Sequence, residues 1–206
     1  MAEIGRSAWV STKSEVEGRR VDAGGLVGLE FSAVRYVTLD YRRSDFAPEF
    51  SGPRSITDAS EWREPTWEFD DCDSADFGVE FTTSRGRVFS VTWDALGVHE
   101  SVGLHEGSLL GERFSGNSDV AVWEVGARSR WLPLLGEPVG GVDLHYEPWA
   151  DEGFWCPRIT LRFGSRRIEL LLGEGRKGGR VGPAANNVAV LFDPEELPQW
   201  LRGESK

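Results

Sequence analysis

The stretch VEFTTSRGRVFSVTW, residues 79–93, decides the fold class of this chain. Val79 and Phe81 alternate with polar neighbours, and so do Phe89, Val91 and Trp93. A period of two puts successive side chains on opposite faces, which is the signature of a strand with one buried face. Between the two runs lies Ser84-Arg85-Gly86, where glycine supplies the positive φ that a tight hairpin needs. The segment therefore predicts an antiparallel β-hairpin.

Working outward, the same pattern recurs. Val37, Leu39 and Tyr41 alternate with Thr38 and Asp40, and predict a strand whose Val/Leu/Tyr face is buried. Leu26 to Phe31 is a candidate partner for it, and another strand is expected at Val120 to Val125. A second series follows: Val142, Leu144 and Tyr146, then Ile159, Leu161 and Phe163, a turn at Gly164-Ser165, and Ile168, Leu170 and Leu172. Val37-x-Leu39-x-Tyr41 resembles Val142-x-Leu144-x-Tyr146, and the hairpin from Val79 resembles the one from Ile159. Two similar hairpin-based β-modules are expected, forming a sandwich or a barrel-like pair of sheets. Chance likeness between amphipathic hairpins is the plainer alternative. The domain reading is a polar lead-in over 1–22, a first module over 23–127 and a second over 128–206. Residues 42–66, rich in Pro, Gly, Ser and Asp, read as a long loop. Residues 128–135 allow one helical turn. Residues 173–187 read as a Gly-rich loop, and Val188 to Phe192 as a short strand. A short C-terminal helix over 194–201 is expected, with Asp193 as its N-cap.

Composition narrows the function classes. The chain has 206 residues and a formal net charge of −11. That balance disfavours nucleic acid and anionic membranes, since both bind cationic faces. The first twenty residues lack the apolar core of a signal peptide, and no run is long enough to span a bilayer as a helix. A cytoplasmic location is the expectation, with Cys72 and Cys156 as free thiols. Nine Trp are many for this length, and a scattered distribution favours core positions over a stacking platform.

Candidate chemistry is sparse. Gly173, Gly175 and Gly178 match a dinucleotide fingerprint, but Gly179, Gly182 and Pro183 forbid the helix that would hold the pyrophosphate, so no cofactor is expected. His99 and His105 are six residues apart, roughly 20 Å along a strand, so they and His145 are weak metal candidates. Asp70, Asp71, Asp73 and Asp76 begin like a calcium loop at Asp71-x-Asp73, but Ala75 takes a ligand position and no closing Glu follows. No nucleophile elbow, phosphate-binding loop or Cys-x-x-Cys pair occurs, so no catalytic residue is assigned.

The charge layout is the most informative feature. From Asp40 to Glu80 the local balance is −8, and from Arg158 to Arg180 it is +5. Pairing within the molecule is the plain reading. The functional reading is an acidic docking surface for a basic protein, as in an inhibitor or immunity protein, with Trp62 and Trp67 as anchors beside Asp70, Asp71, Asp73 and Asp76. The alternative is a small-ligand protein or enzyme with a cleft between the two modules.

Overall fold

A computed structural model describes residues 9–41, 53–96, 99–111, 119–128, 130–149, 151–178 and 180–201. The chain opens with helix α1 (Lys13–Gly24) and continues into β1 (Phe31–Leu39), β2 (Arg54–Ser55), β3 (Asp73–Ala75), β4 (Gly78–Thr83), β5 (Val88–Leu96) and β6 (His99–Glu106). Next come β7 (Val120–Glu124), β8 (Gly141–Leu144), β9 (Glu147–Trp149), β10 (Gly153–Trp155), β11 (Arg158–Phe163), β12 (Arg166–Arg176) and β13 (Arg180–Phe192). The fold is mainly β, as the alternation requires. Among the described residues no helix is long and apolar enough to cross a membrane.

Two sheets carry the architecture. One has the order β2-β7-β1-β4-β5-β6, the other β3-β13-β12-β11-β8, and β9 with β10 forms a separate ribbon. Every pairing is antiparallel except β2 with β7. Each main sheet thus contains four strands adjacent in chain order, β1-β4-β5-β6 and β8-β11-β12-β13, once the β2–β3 and β9–β10 excursions are set aside. The hairpin of residues 79–93 forms as expected, with Phe81 opposite Phe89, Val79 opposite Val91 and Gly86 at φ +77°. Gly164, at φ +57°, turns the second hairpin.

One apolar core lies between the sheets. Val34, Tyr36, Val79, Phe81, Phe89 and Val91 from the first meet Leu144, Ile159, Leu161, Ile168, Leu170 and Val190 from the second in a single buried cluster. The two modules therefore share a core. They also share a strand: β3 precedes β4 by two residues, yet pairs with β13 in the opposite sheet, Ser74 beside Ala189. The chain changes sheets at Asp76-Phe77.

Several local expectations differ from the structure. The lead-in contains α1, closed by a capping box in which the Thr12 hydroxyl accepts from the Glu15 amide at 3.2 Å and the Glu15 carboxylate accepts from the Thr12 amide at 2.9 Å. The phase of β1 is inverted. Tyr36 faces the main core, and Thr38 is buried with its hydroxyl accepting from Trp123 Nε1 at 3.1 Å. Val37 belongs to a small outer cluster with Leu109, while Leu39 and Tyr41 are exposed. Polar residues can occupy inward positions when their bonds are satisfied, and there the apolar pattern stops reporting the face. Consequently Tyr36, opposite Val79, corresponds to Leu144, opposite Ile159, and the triplet match of the sequence is displaced in register.

The Gly-rich stretch is mostly strand. β12 and β13 pair from Ile168 to Phe192, and the register slips between Leu172–Val188 and Gly173–Pro183, leaving residues 184–187 as a bulge in β13. Gly175 sits in β12 because a Cβ there would lie 2.9 Å from the Phe69 ring and 3.0 Å from Cys72 Sγ. At the C-terminal side, a 3-10 turn at Gln199–Leu201 replaces the expected helix. Asp193 is no N-cap: at φ +46° it accepts from the Arg167 amide at 2.6 Å. The stretch expected as a long loop contains β2 and a 3-10 turn at Glu61–Arg63; residues 42–52 lie outside the described set.

Candidate functional site

The acidic segment folds inward. Asp73 is buried at the inner end of a polar chain: Trp131 Nε1 donates to the Tyr36 hydroxyl at 2.6 Å, Tyr36 donates to Asp73 at 2.6 Å, and Arg130 donates to the other carboxylate oxygen at 2.5 Å. Burial pushes the Asp73 carboxyl up to about 6, against the opposing pull of Tyr36 and Arg130. Arg130 also donates to the carbonyls of Phe69 and Asp70, which fixes the turn ahead of β3. Only Asp70 and Asp71 of the four aspartates remain exposed.

The expected tryptophan anchors are also internal. Trp67 is buried, and it meets Tyr36, Trp62 and Trp123 edge to face with centroids 4.9, 6.3 and 6.0 Å apart. Arg128 lies 5.7 Å above the half-buried Trp62 ring and 5.8 Å from that of Trp67, and it donates to Glu68. The chain's own guanidinium thus occupies the place where a partner's cation would stack. Trp62, Trp67, Asp73 and Asp76 do not form an exposed docking patch, because core packing and internal bonds have already engaged them.

Part of the charge asymmetry is paired within the chain. Arg54 bridges Asp40 and Glu61, Arg35 reaches Glu80, and Arg158 and Arg167 both reach the buried Glu169. Arg162 pairs with Asp143, and Arg166 with Asp193. Buried acids in this fold generally hold a guanidinium, which offsets the cost of desolvating them.

Asp76 is different. Its oxygens accept from the Leu39 amide at 2.9 Å, the Tyr41 hydroxyl at 2.7 Å and Asn187 Nδ2 at 3.5 Å. Every one of these donors is neutral, and among the described residues no cation bonds to it. Desolvation raises its pKa, and the nearby Glu174 carboxylate adds to the rise. The two acids border one cavity of 280 Å3. Tyr41 enters it from the end of β1, Thr66 and Phe69 from the approach to β3, Glu174 and Gly175 from β12, and Asn187 from the β13 bulge. Ser74 completes the wall and accepts from the Gly175 amide at 3.1 Å. Chemically this is an acceptor-rich pocket with an aromatic rim and two carboxylates, of which Glu174 also meets Arg176 at 3.6 Å, and it is suited to a cationic group at Asp76.

The chain matches no protein-family model, no curated protein and no solved structure.

The three histidines do not assemble. His99 and His105 lie at opposite ends of β6, while His145 follows β8 in the other sheet. His105 is buried, and the side chain of His99 lies outside the described set. Among the described residues no three His, Cys, Asp or Glu side chains form a metal-binding group. Asp73, the second residue of the calcium-like start, is engaged by Arg130 instead. Both cysteines are buried free thiols, pushed up by desolvation to about 11 for Cys72 and about 12 for Cys156.

Of the cavity's residues, sequence reasoning offered Asp76 alone as a partner-binding residue; Gly175 entered it only through the rejected dinucleotide fingerprint and Tyr41 only as a strand residue. Glu174 and Asn187 carry no local signal, since a strand and a bulge about a hundred residues downstream bring them to Asp76.

Proposed function

We propose that this chain is a non-catalytic, cytoplasmic protein-binding module that captures a basic partner by receiving one of its cationic side chains in the Asp76–Glu174 pocket. One observation carries the reading: among the described residues Asp76 is a buried carboxylate held by neutral donors, and it opens, with a second carboxylate, onto a cavity. A desolvated acid without a countercharge is costly, and an incoming ammonium or guanidinium supplies that countercharge. The cavity has room for such a head group, since a water's share of volume is only about 30 Å3. Asp70 and Asp71, exposed just ahead of β3, extend the negative potential that would draw a basic partner. The two buried thiols suit a reducing compartment. The matching strand order of the two meanders supports, in addition, their origin as copies of one module.

Calorimetric titration of a short arginine-rich peptide against three variants tests the reading. Glu174→Gln and Asp76→Asn are expected to weaken binding by about tenfold each, as for a lost charge-assisted contact. Glu137→Gln removes the same charge from an exposed site elsewhere and is expected to change little. Equal losses in all three would reduce the interaction to net charge and overturn the pocket.

A further inference from the structure

We propose that the cleft between α1 and the β8 edge of the five-stranded sheet binds a small hydroxylated oxyanion, a phosphate ester or a carboxylate, through Arg20 and Arg158. It lies at the opposite edge of that sheet from β3 and the acidic pocket, and rests on separate observations.

The cleft is larger, 570 Å3, and runs along Val142–Glu147, with Arg20 on the α1 side and Arg158 from β11. Arg158 is held in place from behind. Its Nη1 donates to the buried Glu169 at 3.3 Å, and its Nη2 donates to His145 Nδ1 at 2.9 Å. Arginine has only donors, so Nδ1 must be the acceptor and the neutral ring carries its proton on Nε2. That proton goes to Thr160 Oγ1 at 2.8 Å, and Thr160 in turn donates to Glu169 at 2.6 Å. The chain Arg158, His145, Thr160, Glu169 fixes the guanidinium at the cleft wall. These two bonds use two of its five N–H groups, so a ligand would meet a preorganised donor set.

At His145 the arginines outweigh Asp143, although the cleft also carries Asp143 and Glu147 and the whole chain is at −11. Burial and then Arg158, with smaller contributions from Arg162 and Arg20, hold His145 down at about 4. Asp143 alone opposes them, and Arg162 already engages it. Arg20 is half exposed and, among the described residues, bonds to Glu17 at 2.7 Å. Glu147, exposed at the rim, disfavours a bare multivalent anion and offers an acceptor to a hydroxyl of the same ligand. That is why the assignment is a hydroxylated oxyanion.

The test titrates the protein with glycerol phosphate, gluconate and inorganic phosphate, each against sodium chloride at equal ionic strength. Thermal midpoint and the His145 imidazole NMR resonances are followed. A saturable rise in midpoint together with a shift of His145 is expected. Response to glycerol phosphate identifies the phosphate-ester source, and response to gluconate the carboxylate source. Arg158→Ala leaves Glu169 buried beside one guanidinium fewer and is liable to unfold, so Arg20→Gln carries the test. Affinity is expected to fall by about tenfold in Arg20→Gln, as for one charge-assisted contact. If no probe exceeds chloride, or if Arg20→Gln binds as tightly as the parent, the proposal is overturned.

Discussion

The Tyr36 hydroxyl donates to the Asp73 carboxylate across 2.6 Å, inside the core that the two sheets enclose. The bond stabilises the anion, yet burial outweighs it and the carboxyl rises to about 6. Between an ordinary aspartate pKa near 4 and this value, the native state binds more protons than the unfolded chain. This group's contribution therefore weakens as pH rises through that window, by up to about 3 kcal/mol. Urea midpoints for wild type and Asp73→Asn across it are expected to differ in slope, with the wild type falling relative to the variant as pH rises.

His145 has the opposite effect. Its pKa is depressed to about 4 from about 6.5, so the unfolded chain binds more protons between those values. Its contribution is full above that window and is lost as pH falls through it. The two groups act in opposite directions between about pH 4 and 6, with Asp76, also raised by burial, acting on the side of Asp73. His145→Gln is expected to expose the Asp73 trend, with stability rising on acidification. Asp73→Asn is expected to expose the His145 trend, with stability falling. Identical slopes in both variants would rule out this opposition.

The tryptophans of the core are not equivalent. Trp67 Nε1 is buried with no hydrogen-bond partner among the described residues, whereas Trp131 Nε1 donates to Tyr36 at 2.6 Å. Replacement by Phe costs ring volume at both sites, but at position 67 it also removes an unsatisfied donor. Trp67→Phe is expected to be less destabilising than Trp131→Phe by about 1 kcal/mol, measured by chemical denaturation. Trp67→Ala, which leaves a cavity beside Tyr36 and Trp123, is expected to cost about 3–5 kcal/mol.

Gly78 begins β4 immediately after the chain changes sheets. Its φ is +141°, and a Cβ would lie 2.3 Å from the Val91 carbonyl oxygen. Neither the backbone nor the facing strand can yield cheaply. Gly78→Ala is expected to cost at least about 3 kcal/mol. Gly86→Ala, at φ +77° in an open turn with no atom within 4 Å of the added carbon, is expected to cost about 1 kcal/mol. Thermal midpoints of the pair would check the ranking.

Both thiols combine burial with raised pKa values. Thiolate is the reactive form, so iodoacetamide at neutral pH is expected to label Cys72 and Cys156 only through opening of the fold. Labelling in native buffer at the rate seen in urea would show that one of them is accessible.

Hairpins were the most legible part of this chain. At Val79–Trp93 and Ile159–Leu172 a period of two on each arm coincides with a turn glycine, and local and tertiary preferences agree. β1 was legible as a strand but not in phase, because Thr38 faces inward with its hydroxyl bonded to Trp123. Helix α1 escaped notice since only Val16, Arg19 and Ala23 of its residues are buried, leaving no apolar stripe. The signal that was present is Thr12-x-x-Glu15, a capping box. For the candidate site, the acidic run supplies one residue of the cavity wall. Asp76 is a wall of the cavity, but its fellow acid Glu174 comes from β12, and no spacing rule links the two.

The placement of β3 on the far sheet also bears on how the chain reaches this state. Val188, Ala189 and Val190 pair with Ala75, Ser74 and Asp73, more than a hundred residues earlier. Such closure is entropically late, and folding slows as contacts become less local. During synthesis, Asp73–Ala75 emerges long before its partner strand and must wait with its backbone groups unpaired. The edge of β3 that β13 will cover is therefore open to capture by other chains until residue 190 arrives.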